Sequence, residues 1–140
     1  MTSTAFERDK LVRFHHCDPA GIVFYPQYFV LFHDLLTDWF TVGLDMNYAR
    51  LVTTERLGTP TVRIACEFVA PSTVGETLRC SLGVRELGRS SFSLALEASV
   101  ANEVRVRLDQ TLVLFSLDSR RSVVLPPSMR AAMLRFSLSG

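Results

Sequence analysis

Residues 26–43, PQYFVLFHDLLTDWFTVG, set the tightest constraint on what this chain can fold into. Phe29, Leu31, Phe32, Leu35, Leu36, Trp39 and Phe40 would cover well over half the circumference of a helix. The polar residues Asp34, Thr37, Asp38 and Thr41 are left in one narrow stripe. Pro26 suits a first helical position, where its missing N–H is not needed. Gly43 suits the end of a helix that runs to about Val42. A helix apolar on most sides cannot rest on a surface with one face covered. Other parts of the chain must wrap around it.

The second half supplies the wrapping. Val62, Ile64, Cys66 and Phe68 alternate with Arg63, Ala65 and Glu67, and Leu78, Cys80, Leu82 and Val84 alternate with polar or small residues. The same period of two recurs over Phe92–Ala98 and over Val104–Leu108. It marks half-buried strands with one face toward a core. Breaks at 71–75, 88–90 and Asn102 suit antiparallel hairpins. Residues 7–16 read as a first strand, with Leu11 and Phe14 as apolar positions, and 45–58 read as a connection. From Leu112 to Leu117 both faces turn apolar, which predicts a strand buried on both sides or one in a subunit interface. Pro126 and Pro127 open a short terminal helix. The whole predicts an α+β fold, an antiparallel sheet of about five strands curled around one long central helix. At 140 residues it fills a single domain, 1–140. A chain this long buries roughly two-thirds of the surface its unfolded form exposes, enough for a core without disulfides or a structural metal.

Charge narrows the function classes. Fifteen basic residues against fourteen acidic ones leave a net charge of +1. Nucleic-acid binding draws on phosphate neutralisation, so a general polyanion binder is excluded. Lys10 is the one lysine, and arginine suits planar contact with phosphate or carboxylate. Cys17, Cys66 and Cys80 form no CxxC pair, which argues against a zinc knuckle and for a reducing, cytoplasmic setting. Cys66 and Cys80 fall on apolar strand positions and read as core. No secretory signal and no run of roughly 18 apolar residues is visible, so no membrane insertion is expected.

The segment HHCDPAGIVFYPQYF, residues 15–29, is the hardest to explain as scaffold alone. Asp18 stands beside a proline and a glycine just before a helix start. Free N–H groups at such a start hold negative charge and can stabilise an oxyanion formed in acyl transfer. A carboxylate close by can act as general base or nucleophile. The plainer reading is that Asp18 caps a turn, since Asp-Pro commonly initiates one. His15, His16, Cys17 and Asp18 do not make a metal site, because neighbouring residues point apart and no partner ligand stands at the usual spacing. His16 near Asp18 reads as a hydrogen-bonded structural residue.

HCDPAGIVFYPQYF resembles the signature of the 4-hydroxybenzoyl-CoA thioesterase family of hotdog-fold enzymes. The likeness covers nearly the whole chain and includes the Gly58-Thr59-Pro60 step. It implies a hotdog fold and hydrolysis of an aryl- or medium- to short-chain acyl-CoA. It places the catalytic carboxylate on Asp18 and the carbonyl-polarising amide on Tyr25. Gly21 would let the thioester approach. Phe24, Phe32 and His33, with Thr59, would meet the acyl group. The family's nucleotide-binding hairpin falls on Gly88–Ser91, with Arg89 and Ser91 as the contacts. His33 replaces an acidic residue of the 4-hydroxybenzoyl branch. The resemblance further implies no metal and no cofactor beyond the coenzyme A of the substrate. It implies a homodimer at least, and a homotetramer in solution. The rival readings are a non-catalytic acyl-CoA or acyl-carrier binder, and a dehydratase or hydratase of the same fold.

Overall fold

A computed structural model describes residues 5–138. In chain order the described elements are β1 (Phe6–Leu11), α1 (Pro26–Asp38), α2 (Tyr48–Thr53), β2 (Leu57–Gly58), β3 (Thr61–Phe68), β4 (Thr77–Leu87), β5 (Ser91–Val100), β6 (Glu103–Val113), β7 (Phe115–Ser116) and α3 (Pro127–Leu134). Five strands form one antiparallel sheet in the order β1-β4-β5-β6-β3, and β2 pairs with β7. The sheet curls around α1, as the apolar helix requires.

The period of two lands on the core where expected. Leu78, Cys80, Leu82 and Val84 of β4 and Phe92, Leu94, Leu96 and Ala98 of β5 are all buried. Leu35, Leu36, Trp39 and Phe40 of the helix are buried against them. Trp39 meets Phe40, Phe92 and Phe136 at ring-centroid distances of 5.4, 6.4 and 6.0 Å. Burying one such Leu or Phe side chain contributes about 1.5–3 kcal/mol.

Several expectations need correction. The α-helix ends at Asp38 and widens into a π segment over Trp39–Gly43, with Leu44 N–H donating to Trp39 O at 2.8 Å. Gly43 keeps a negative φ, so it is no left-handed cap. A Cβ there would lie 2.8 Å from Trp39 and 3.2 Å from Phe136, so close packing demands the glycine. The first strand stops at Leu11. Val12 turns into the core, residues 14–16 coil into a 3-10 turn, and Phe14 is 78% exposed. The connection 45–58 contains α2, capped by Asn47 Oδ1, which accepts Arg50 N–H at 3.0 Å. Of the stretch from Leu112 to Leu117, Leu112 and Leu114 are buried by the chain itself, while Val113, Phe115 and Leu117 are half-buried. A row of uncovered apolar side chains lies on β3, an edge strand, where Val62, Ile64 and Phe68 are exposed and Cys66 is half-buried.

Candidate active site

Residues 16–24 fold back on themselves. Cys17 and Val23 form an antiparallel bridge. Asp18 N–H donates to Ile22 O, and Phe24 N–H to His16 O, each at 3.0 Å. The reversal is a tight turn in which Gly21 N–H donates to Asp18 O at 2.9 Å. Gly21 adopts φ +78°, a conformation that glycine takes without steric cost. Asp18 Oδ1 accepts Ala20 N–H at 2.8 Å, so the aspartate does cap its own turn. Oδ2 takes no hydrogen bond from the described residues.

The chain leads directly into α1. Gln27 N–H donates to Phe24 O at 2.8 Å and Tyr28 N–H to Tyr25 O at 3.2 Å. Pro26 has no N–H to give. Tyr25 N–H is thus left without a partner among the described residues, at the positive end of the helix dipole. An anion at this point is favoured.

The turn is braced from outside. Val23 N–H donates to Ser72 O and Val74 N–H to Gly21 O, each at 2.9 Å. The bracing segment, 71–76, is itself pinned by Arg105 of β6. The Arg105 guanidinium donates to Pro71 O at 2.9 Å and to both Glu76 carboxylate oxygens at 2.8 and 3.0 Å. Glu76 Oε1 also accepts Thr73 N–H at 2.7 Å, and Tyr28 O–H donates to Ser72 Oγ at 3.0 Å. The bonds from Arg105, and after them that from Thr73, hold the Glu76 carboxyl down to about 2. His16 is buried, and its Nδ1 accepts Arg13 N–H at 2.9 Å. Burial, and then the neighbouring His15 and Arg13, lower its pKa, which suits a neutral imidazole that shapes the start of the loop.

An apolar cleft of about 380 Å³ lies between α1 and the β3 edge, lined by Phe29, Phe32, His33, Ile64, Leu108 and Gln110 among others. Four residues past Ile64, the Phe68 ring lies 5.9, 6.0 and 6.5 Å from those of Tyr25, Tyr28 and Phe29. The β3 wall therefore leads toward the helix entrance.

The structure places Asp18 and Gly21 on one tight turn, Tyr25 a few residues on at the start of α1, and Phe32 and His33 together in the cleft. Phe24 packs on Tyr25 at 5.5 Å and is half exposed, outside the cleft. Thr59 is buried, with its hydroxyl 2.9 Å from Tyr48 OH, and is not among the residues that line this cleft. Arg89 and Ser91 lie at the turn between β4 and β5. The Asp18 turn docks beside the start of β4, and their hairpin follows its far end, eleven residues or roughly 35 Å on. Within one chain they stand apart from Asp18. Arg85 is paired with Asp109 at 2.8 Å. Sequence reasoning missed the brace of Ser72, Glu76 and Arg105, and missed Gln110. Gln110 had a signal, because it breaks the apolar inner row of β6. Among the described residues no group of three His, Cys, Asp or Glu side chains is placed to hold a metal ion.

A family profile described as the thioesterase-like superfamily matches residues 12–133. The chain is 25% identical over 122 residues to a 1,4-dihydroxy-2-naphthoyl-CoA hydrolase of Nostoc punctiforme, covering 87% of this chain and 82% of that one. The structure superposes on a 1,4-dihydroxy-2-naphthoyl-CoA thioesterase from Synechocystis with a TM-score of 0.83 at 21% identity, covering 93% and 96% of the two chains. It superposes on a gentisyl-coenzyme A thioesterase with a TM-score of 0.83 at 26% identity, covering 91% and 99%.

Proposed function

The chain belongs to the thioesterase-like superfamily as a thioester hydrolase, and we propose that it cleaves an aryl-CoA thioester with Asp18 and the Tyr25 amide as its working groups. The observation that carries the reading is a pair of unused groups, a carboxylate oxygen on the braced turn and an amide at the helix start that follows it. Asp18 Oδ2 accepts nothing and Tyr25 N–H donates to nothing among the described residues. The Tyr25 N–H would hold the carbonyl oxygen as it gains charge. Asp18 Oδ2 would take a proton from the attacking water or attack the carbonyl carbon itself. The coenzyme A thiolate then leaves; by the water route the free acid forms directly, and by the nucleophilic route a second step, hydrolysis of the acyl-aspartyl anhydride by water, releases the acid and restores Asp18. The two routes separate by oxygen-18 transfer from labelled water in a single turnover.

The cleft favours an aryl acyl group, since Phe29 and Phe32 line it and its size suits one or two rings. The relatives named above act on dihydroxynaphthoyl-CoA and gentisyl-CoA by their names. Arg89 and Ser91 serve the nucleotide of coenzyme A from a second subunit. Antiparallel pairing of two β3 edges would join two sheets and cover Val62, Ile64 and Phe68. It would also set the Thr61 end of one edge against the Phe68 end of the other. The hairpin at 88–91, on the Thr61 side of its own sheet, then approaches the other subunit's Asp18. A homodimer is the smallest complete enzyme, further pairing gives the tetramer, and the cytoplasm is its setting.

Thiol release measured over a panel of acyl-CoA esters tests this. Asp18→Asn should lower kcat by about 10²-fold or more while leaving substrate binding measurable by calorimetry. Unchanged turnover would overturn the mechanism. Binding without turnover in the wild type would identify a binding protein instead.

A further inference from the structure

We infer that Gln110, together with Thr61, reads a polar substituent on the acyl group, and that the cleft is built for a ring carrying a hydroxyl there. This rests on the thioesterase reading above and specifies its acyl group.

The observation is a break in a pattern. The inner row of β6 runs Val106, Leu108, Gln110, Leu112, and the other three are buried in the core. The residues opposite Gln110 are apolar as well, Leu94 on β5 and Ile64 on β3. An amide therefore interrupts an apolar patch on the concave face, half-exposed in the open cleft; a ring bound over it takes it out of water, where an amide oxygen left unpaired costs free energy. Such local violations of an otherwise consistent pattern concentrate at functional sites.

The amide is only partly satisfied. Gln110 Nε2 donates to Thr61 Oγ1 at 2.7 Å. Its Oε1 accepts nothing from the described residues, and the Thr61 hydroxyl keeps its own proton to donate. Gln110 and Thr61 both line the cleft, beside Phe29, Phe32, Ile64 and Leu108, which offer apolar contact alone. A bare phenyl ring would leave the amide oxygen facing carbon. A phenolic hydroxyl donates to Gln110 Oε1 and accepts from Thr61. With the amide turned the other way, Nε2 would face the ring, and a hydroxyl satisfies that as well because it both donates and accepts. Among the described residues His33 is the one ionisable side chain lining the cleft, so an anionic substituent finds no guanidinium or ammonium there.

The test compares benzoyl-CoA with its 3-hydroxy, 4-hydroxy and 2,5-dihydroxy forms on the wild type, Gln110→Met and Thr61→Val. In the wild type at least one hydroxylated ester should exceed benzoyl-CoA in kcat/KM by about tenfold or more, since a site built to bind a hydroxyl rejects its absence. Gln110→Met should bring that ratio to within about twofold of unity, and Thr61→Val should lower it part of the way. Comparing the ratio between proteins cancels the intrinsic reactivity of each ester. A wild-type ratio near unity for every ester, or a ratio undiminished in Gln110→Met, overturns the inference. Dissociation constants for the same esters, measured with and without Gln110→Met in an Asp18→Asn background, read the contact without turnover. A chain that binds hydroxylated esters through Gln110 yet hydrolyses none would refute the thioesterase mechanism and leave this inference standing.

Discussion

Replacing Glu76 by Gln removes one charge from the brace behind the Asp18 turn and leaves the side-chain shape intact. The expected cost follows from the carboxyl itself, which is held at about 2 against an ordinary value of 4.5. That difference corresponds to at most ~3.4 kcal/mol at neutral pH. Arg105 is well buried but Glu76 keeps 28% of its side chain exposed, so solvent screening reduces the figure to about 2 kcal/mol. The sign is set by the lowered value. The contribution is fully present above about pH 4.5 and drains away as pH falls through about 2. Urea unfolding followed by fluorescence of the single tryptophan, the buried Trp39, measures it. At pH 7 and one fixed protein concentration, Glu76→Gln should lower the midpoint by about 1 M urea. The gap between variant and wild type should narrow steadily from pH 4.5 to pH 2. A loss below about 0.5 kcal/mol at pH 7, or a gap that stays constant into acid, would refute the assignment of this carboxylate as the brace.

Three other outcomes follow from the structure. Gly43→Ala should lower thermal stability by about 1–3 kcal/mol despite alanine's better helix propensity, because the new Cβ meets the rings of Trp39, Phe136 and Phe6; a rise in Tm would contradict it. Ile64→Glu on the exposed face of β3 should shift the protein to monomer in light scattering and cut turnover, with circular dichroism unchanged; a dimer of full activity would show that β3 is not the pairing edge. Gly21→Ala should lower kcat by tenfold or more through strain at φ +78°, while unfolding shifts by about 1 kcal/mol; unaltered turnover would show that the turn need not be held as seen.

What could be read in the sequence follows from the range of each interaction. The inner rows of β4 and β5 were legible because alternation is local and both rows are covered by the chain's own helix. The same alternation in Val62, Ile64 and Phe68 identified an apolar face, but nothing in it says that the cover is missing within one chain. Asp18, Gly21 and Tyr25 were legible because turn chemistry and a helix start fall within eight residues. The brace was not, since Arg105 lies 29 residues from Glu76. Helix α2 was lost because six residues are too few to show a period, although its cap at Asn47 stood in plain view. Gly43 was assigned the right place for the wrong reason, as the rings of Phe6 and Phe136 that exclude a Cβ come from the two ends of the chain. Arg89 was located correctly on its hairpin, but linear sequence carries no measure of how far that hairpin stands from Asp18.

The turn at Asp18 has a consequence for timing as much as for shape. A free aspartate spins about its side-chain bonds and spends most of its time facing the wrong way. Here one carboxylate oxygen is tethered to the Ala20 amide, so the other has a fixed heading before any substrate arrives. Immobilising a side chain of this kind costs about 0.5–1.5 kcal/mol, and the fold has met that cost during folding, ahead of the encounter with substrate. In the proposed reaction the hydrogen bond that looks like mere turn capping and the readiness of the reactive oxygen are the same contact.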